Sequence, residues 1–193
     1  MATIFTHCIV PGSLRLLLGK EKVSGALLFY ACLASVLPDA DVVAFSFNIP
    51  YESQFGHRGF THSLFFALCV ALIGSVFHDH MRSKPAVVFW VLFISLASHP
   101  VLDSLTNGGR GVAIFWPFSS ERFFLPWQPV EVSPIGIRNF LNPRGLDVLR
   151  SEFMVIWLPS LVVVLSAVSI KRLIDWRKSS GKQGVPAEDD PLN

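Results

Sequence analysis

Histidine and aspartate side chains, which together suit a divalent transition metal, recur in three short motifs of this chain. The motif residues are Asp39 and Asp41, then His57 and His62, then His99 and Asp103. His99 and Asp103 are four residues apart, so on a helix both lie on one face. His57 and His62 are five apart, which fits two ligands if His57 ends a loop and His62 opens a helix. Mixed imidazole and carboxylate ligands favour zinc first, with manganese or iron as alternatives.

These motifs stand at the ends of hydrophobic segments, which must position them. Crossing a bilayer takes about 20 residues, and three runs approach that length: residues 63–77, 86–102 and 153–170. A shorter run, residues 23–37, stops at Pro38, because proline has no N–H for the helix ladder. The mostly apolar segment 3–19 carries His7 and Arg15. It predicts a short N-terminal helix.

Composition indicates that lipid surrounds much of the chain. Of the 193 residues, 51% are hydrophobic and only 16% are charged, against about 25% in soluble domains. The net charge of +2 is too small to indicate a nucleic-acid partner. The sequence therefore predicts an all-α polytopic membrane helical bundle with four clear hydrophobic helices and a short N-terminal helix.

Two further segments complete the predicted organisation. Residues 106–150 are rich in proline, glycine, aromatic residues and arginine, which is typical of an interfacial aromatic loop at headgroup level. The polar segment from Lys178 onward predicts a disordered tail. We therefore expect one membrane-embedded domain, residues 1–177, followed by a tail, residues 178–193.

The distribution of basic residues predicts an orientation. Lysine and arginine cluster at residues 20–22, 82–84 and 171–178, and such clusters favour the cytoplasmic side. The three motifs then share the outer, periplasmic face of a bacterial inner membrane. His7 joins them if the first helix runs inward. In the alternative topology it lies on the cytoplasmic side, and the sequence leaves both open.

Each motif residue also has an ordinary structural explanation. Asp39 could cap the segment after Pro38, and Asp103 could cap the turn before Asn107. Ionisable residues near a membrane are costly, however, and they are usually functional. Their grouping on one face favours a joint metal site. By contrast, His78 and His80 beside a basic turn predict a solvated loop.

Several motifs together resemble a known family. They are Leu37-Pro38-Asp39-Ala40-Asp41, His57-Arg58-Gly59-Phe60-Thr61-His62-Ser63, His99-Pro100-Val101-Leu102-Asp103 and Trp116-Pro117-Phe118. They resemble the YdjM-like family of LexA-regulated, inner-membrane proteins described as metal-dependent hydrolases, and the resemblance covers residues 3–127. Thr6-His7 matches the early histidine of that family, whereas Val42 stands where many relatives have another histidine. An association with LexA is implied by this resemblance alone.

Together these observations predict a membrane-bound metal-dependent hydrolase that acts on a phosphoester or lipid-linked substrate at the membrane face. The predicted ligands of one to three metal ions are His7, Asp39, Asp41, His57, His62, His99 and Asp103. An unligated carboxylate, Asp41 or alternatively Asp39, is the predicted general base, and Arg58 would stabilise negative charge on the reacting group. Two alternatives stay open: a non-catalytic membrane protein with a structural metal, and a metal transporter or sensor.

Overall fold

The computed structural model describes residues 1–134 and 136–182, and these are mostly helical. The α-helices in chain order are α1 (Ile4–His7), α2 (Ile9–Leu18), α3 (Gly25–Val36), α4 (Leu64–Val76), α5 (Pro85–Ser104), α6 (Ile137–Phe140), α7 (Pro143–Glu152) and α8 (Leu158–Lys182). Two 3-10 segments, Leu37–Phe47 and Phe60–His62, and a π-helical turn, Phe153–Trp157, connect them. Within these ranges no strand forms, and the predicted all-α class is confirmed.

Among the described residues, three helical segments are long and apolar enough to cross a membrane, rather than the four that we predicted. They are Gly25–Phe47, Pro85–Ser104 and Pro143–Ser179. The run at residues 63–77 yields only α4, because Ser63 caps its start and the helix ends at Val76. Its 13 residues extend about 20 Å, less than the roughly 30 Å of a hydrocarbon core. Helices Ile4–Leu18 and Leu64–Val76 are therefore shorter apolar elements.

The core lies between α3, α4 and α5, because α5 packs along both α3 and α4. Small residues such as Ala31, Ala67 and Ala71 are almost fully buried there, so the backbones approach closely. Leu27 and Leu96 fill the remaining space. At one end of this core, the Ser83 hydroxyl donates to the Lys22 carbonyl and joins two basic turns. The motif residues lie at the other end.

Helix α8 packs mainly on α2, and most of its side chains are exposed. It continues to Lys182, five residues into the segment that we predicted to be disordered from Lys178. The rest of that predicted tail, residues 183–193, lies outside the described residues. The predicted interfacial loop, residues 106–150, is irregular only at 106–134, because α6 and α7 occupy most of residues 137–150. The irregular part covers the motif end of the bundle through contacts such as the Leu64 N–H to the Ile114 carbonyl.

Candidate metal centre

Four side chains converge where the ends of three segments meet. Asp39 comes from the first 3-10 segment, His62 from the turn before α4, and His99 and Asp103 from the last turns of α5. His62, His99 and Asp103 are fully buried, and Asp39 is 12% exposed. All four ligand atoms lie within 4.8 Å of one another.

The distances between these atoms fit a single small cation. Nε2 of His62 lies 3.1 Å from Nε2 of His99 and 3.6 Å from both Asp39 Oδ1 and Asp103 Oδ2. Nε2 of His99 lies 3.4 Å from Asp39 Oδ1 and 4.0 Å from Asp103 Oδ2. Ligands of a tetrahedral ion at bond lengths of about 2.0–2.1 Å are separated by about 3.4 Å. The arrangement therefore needs little adjustment to coordinate a metal.

Buried polar atoms at the centre of this group require a positive partner. Asp39 Oδ1 and Asp103 Oδ2 are both buried and accept no hydrogen bond in the part of the chain that the structure describes. An unpartnered buried carboxylate oxygen is costly. The facing nitrogens of His62 and His99 would also repel each other if both presented lone pairs. A cation bound between the four atoms removes both problems.

The orientation of His99 follows from the end of α3. Its Nδ1 lies 2.7 Å from the Ser35 carbonyl, to which it donates a hydrogen bond, so Nε2 of the neutral ring carries the lone pair. In a 3-10 helix the N–H of residue 38 would take the Ser35 carbonyl. Pro38 has no N–H, and it thereby leaves that carbonyl to the histidine. The proline that ends the helix thus helps to aim a candidate ligand.

Asp41 orients two histidines in this structure. Its Oδ1 lies 2.5 Å from Nδ1 of His57, and its Oδ2 lies 3.2 Å from Nδ1 of His62. Oδ2 also accepts hydrogen bonds from the Thr61 hydroxyl and the Arg58 N–H. A carboxylate behind a metal-binding imidazole fixes its tautomer and raises its basicity. Asp41 and His57 were predicted as ligands, and together with His62 they form a second group of possible metal ligands. The hydrogen bonds just described already provide partners for the Asp41 carboxylate and for the Nδ1 atom of His57.

The two aspartates differ because of the helix that carries them. Residues two apart in a 3-10 helix are separated by about 240° around the axis, since one turn takes three residues. Asp39 and Asp41 therefore cannot aim at the same point. Asp39 faces the Nε2 atoms of His62 and His99, while Asp41 faces the Nδ1 side of the rings.

The electrostatic environment of His62 favours positive charge on its ring. Burial alone lowers the pKa of this residue, but the neighbouring carboxylates of Asp103, Asp39 and Asp41 outweigh burial and raise the pKa to about 10. A site that holds a proton so strongly also attracts a metal ion, which would compete with that proton. The carboxylates therefore make the centre selective for cations.

His7 lies on the same end of the bundle as the other motif residues. Its ring stacks on His99, with centroids 3.8 Å apart and planes 12° from parallel. Its Nε2 is 3.7 Å from Asp103 Oδ1, and neither ring nitrogen has a hydrogen-bond partner among the described residues. His7 thus borders the group of four and contacts two of its members.

Arg58 is buried, and its guanidinium contacts the candidate metal centre from one side. Its Nε lies 3.2 Å from Asp103 Oδ2, while Nη2 donates to the Thr106 hydroxyl and Nη1 to the Gly108 carbonyl. The backbone of Arg58 has a positive φ of 63°. Adjacent Gly59 is required, because a Cβ there would overlap the Gln54 carbonyl. These contacts favour a role for Arg58 in positioning Asp103, in addition to its predicted role in stabilising negative charge.

Sequence reasoning missed Glu152, a fully buried carboxylate at the end of α7. It accepts hydrogen bonds from the Thr3 N–H and hydroxyl at 2.5 Å and from the Thr6 hydroxyl at 2.7 Å. Trp157 also donates to the Thr6 hydroxyl at 2.6 Å. These contacts join the last membrane segment to the helix that carries His7. The only signal in the sequence was a single acidic residue directly before an apolar run.

His78 and His80 lie in the turn between α4 and α5, at the other end of the core, as predicted. Nδ1 of His78 lies 3.2 Å from Asp79, whose side chain is 92% exposed. Neither histidine belongs to a group of possible metal ligands in residues 1–134 and 136–182. This turn therefore offers matched control positions for experiments on the buried centre.

Two comparisons with known proteins, one with family models and one with individual proteins, agree with each other. The family model described as "YdjM inner membrane protein" matches residues 1–174. The chain is 43% identical over 166 residues to the inner membrane protein YbcI of Escherichia coli (strain K12), which covers 85% of this chain and 95% of that protein. No solved structure matches the chain.

Proposed function

Since the chain belongs to the YdjM family of inner membrane proteins, we propose that it is a metal-dependent hydrolase of that membrane. The observation that carries this proposal is the convergence of Asp39, His62, His99 and Asp103, with two buried carboxylate oxygens that accept no hydrogen bond among the described residues. The substrate is a phosphoester or a lipid-linked compound, because the centre lies at one end of the apolar core. We place that end on the periplasmic side, since the basic turns lie at the other.

These four residues would hold the ion, and zinc suits them best. Two imidazoles and two carboxylates match zinc, and manganese or iron follow. The bound ion would lower the pKa of a coordinated water and polarise the bond to be broken. Asp103 is held in place by Arg58 and by the Ala2 N–H, which donates to Oδ1 at 2.7 Å.

The residues around the ion supply proton transfer. His57 is 2% exposed and has Asp41 against its Nδ1, an arrangement that makes the other ring nitrogen a competent base. Asp41 would thus act through His57, rather than as the base that receives the proton directly. Arg58 lines one cleft together with His57, and it balances negative charge next to Asp103.

A structural metal is the second candidate, and one observation favours it. Four protein atoms can fill a tetrahedral shell, as closed structural sites do, and three of the four residues are fully buried. Only Asp39, at 12% exposure, links the centre to solvent. A transport role is less well supported, because Leu27, Leu96 and the alanines of the core lie below the centre.

Elemental analysis of purified protein tests the metal, and a substrate panel tests the chemistry. Wild-type protein is expected to carry metal, while His62→Ala and Asp103→Ala lose most of it and His80→Ala keeps it. The same four proteins are then assayed on phosphodiesters, phosphomonoesters and phospholipids. Metal without turnover on the whole panel would favour the structural candidate. Equal metal in all four proteins would remove the proposal.

A further inference from the structure

A cleft opens beside the metal centre on the side of Arg58. It measures about 240 Å³, and its walls include Tyr51, His57, Arg58, Gly109 and the segment 132–134. Arg58 forms the partition, since its Nε faces Asp103 at 3.2 Å while the side chain also borders the cleft. The guanidinium of Arg58 therefore separates the cleft from Asp103, a candidate metal ligand.

Gly109 lets the backbone approach two donors closely. A Cβ at this position would lie 2.7 Å from Nη1 of Arg58 and 3.0 Å from the Tyr51 hydroxyl. The glycine has a φ of +92°, which side chains rarely adopt. With no side chain at Gly109, the guanidinium of Arg58 and the phenol of Tyr51 border the open space of the cleft.

Both groups retain hydrogen-bonding capacity toward that space. Nη1 carries two N–H groups, and the Gly108 carbonyl accepts one of them at 2.9 Å. The structure gives the second N–H no acceptor within residues 1–134 and 136–182. Burial raises the pKa of Tyr51, so its hydroxyl stays protonated at neutral pH and can donate.

Two further arginines lie near the ring of Tyr51, which lines the cleft. The guanidinium carbons of Arg122 and Arg110 lie 5.3 Å and 6.0 Å from the centroid of the Tyr51 ring. Arg110 is paired with Glu52, whereas Arg122 contacts only carbonyl oxygens and pairs with no acidic group in the described ranges. Arginine clusters of this kind favour phosphate over other anions, because the planar fork matches its oxygens.

We propose that this cleft binds a phosphate group, with Arg58 Nη1 and the Tyr51 hydroxyl as donors and the bare Gly109 as the floor. The inference rests on the proposed function and deepens it, because it gives the substrate an anionic phosphate beside the centre. The same chemistry is offered by a phospholipid head group and by a soluble phosphoester. The cleft serves binding and placement, and the reacting bond lies on the metal side of Arg58.

Calorimetric titration of the full chain tests the cleft without turnover. The protein is purified in maltoside micelles, which contain no phosphorus, and inorganic phosphate is the probe. We expect saturable binding that Gly109→Ala and Tyr51→Phe each weaken by about tenfold, since a hydrogen bond to a charged group is removed or blocked. Elemental analysis is expected to give equal metal in wild type and both variants.

Two substitutions provide matched controls. Gly19 has nearly the same φ, +90°, with nothing within 4 Å of a Cβ, so Gly19→Ala reproduces the backbone strain without filling the cleft. Tyr30→Phe removes the other tyrosine hydroxyl of the chain, on the exposed face of α3. Both controls are expected to bind phosphate as wild type does.

The outcomes separate this inference from the proposed function. Wild-type affinity in both cleft variants, or no saturable binding by wild type, overturns the inference even if the hydrolase assay succeeds. Weakened binding in the cleft variants supports it even if no panel substrate is cleaved. Short-chain phosphatidylglycerol then distinguishes the source: competition with phosphate assigns the cleft to a lipid head group, and lack of competition assigns it to a soluble phosphoester.

Discussion

The Nε2 atoms of His62 and His99 face each other at 3.1 Å, and an oxygen on the far side of each ring fixes that orientation. Two neutral imidazoles in this geometry direct lone pairs at each other, which is unfavourable. The relationship becomes favourable when a cation lies between the rings. It also explains why the nearby carboxylate oxygens of Asp39 and Asp103 accept no hydrogen bond among the described residues.

Chelation is expected to destabilise the protein through this centre. A ligand present at 100 times its dissociation constant adds about 2.7 kcal/mol to the free energy of unfolding, and EDTA removes that contribution. The Tm of wild-type protein in detergent should therefore fall by several degrees with EDTA. The Tm of His99→Ala should be lower from the start and insensitive to the chelator. Equal responses of both proteins would contradict a metal bound at these rings.

Asp41→Asn should weaken metal binding less than Asp39→Asn does. Asp41 contacts the far nitrogens of His57 and His62, and loss of such an orienting carboxylate typically costs 10–100-fold in metal affinity. Asp39 presents an oxygen to the ion itself, so its loss costs more. Metal affinity is measured by competition with a fluorescent chelator, with Asp79→Asn as the exposed control. The reverse order would make Asp41 a direct ligand.

His7→Phe tests whether the ring of His7 coordinates the metal or only packs against His99. Phenylalanine preserves the stacking on His99 but offers no nitrogen. Because Nε2 of His7 approaches only Asp103 Oδ1, at 3.7 Å, we expect this variant to keep most of the metal that His62→Ala loses. Elemental analysis of the two variants decides the matter. Metal loss as large as in His62→Ala would make His7 a direct ligand, as the sequence predicted.

Glu152→Ala should lower the free energy of unfolding by about 3 kcal/mol, since the buried carboxylate accepts charge-assisted hydrogen bonds. Thr3 and Thr6 would be left with unpaired buried donors. Glu152→Gln retains one acceptor and should lose about half as much. Thermal unfolding in detergent gives both values, and Glu121→Gln, on an exposed side chain, is the control. A change below 0.5 kcal/mol in Glu152→Ala, within the range of surface substitutions, would contradict this role.

The convergence of the motifs could be predicted from the sequence, because each stands at the end of an apolar run and the runs alternate in direction. His99 and Asp103 were aligned by helical spacing alone. The number of spans could not be predicted in the same way, because hydropathy does not reveal that Ser63 and Val76 bound a helix of 13 residues. Residues 37–47 look like a break but continue α3 as a 3-10 segment.

The separate tasks of the site residues could not be read from spacing. Asp39 and Asp41 look equivalent in an Asp-x-Asp pair, and only the 3-10 geometry turns them to opposite sides of the rings. Glu152 could not be assigned either, since its partners Thr3 and Thr6 are nearly 150 positions away. Contacts over such distances depend on how helices pack, which local patterns do not encode.

The apolar core below the centre has a consequence for exchange of the ion. The residues buried between the centre and the basic turns include Val23, Leu27, Ala31 and Leu96. Their apolar side chains offer an ion no ligand within the bundle. In the proposed metal site, the ion would enter and leave past Asp39, the partly exposed member of the four. Occupancy of the centre would then report the free metal concentration of one aqueous compartment and ignore that of the other.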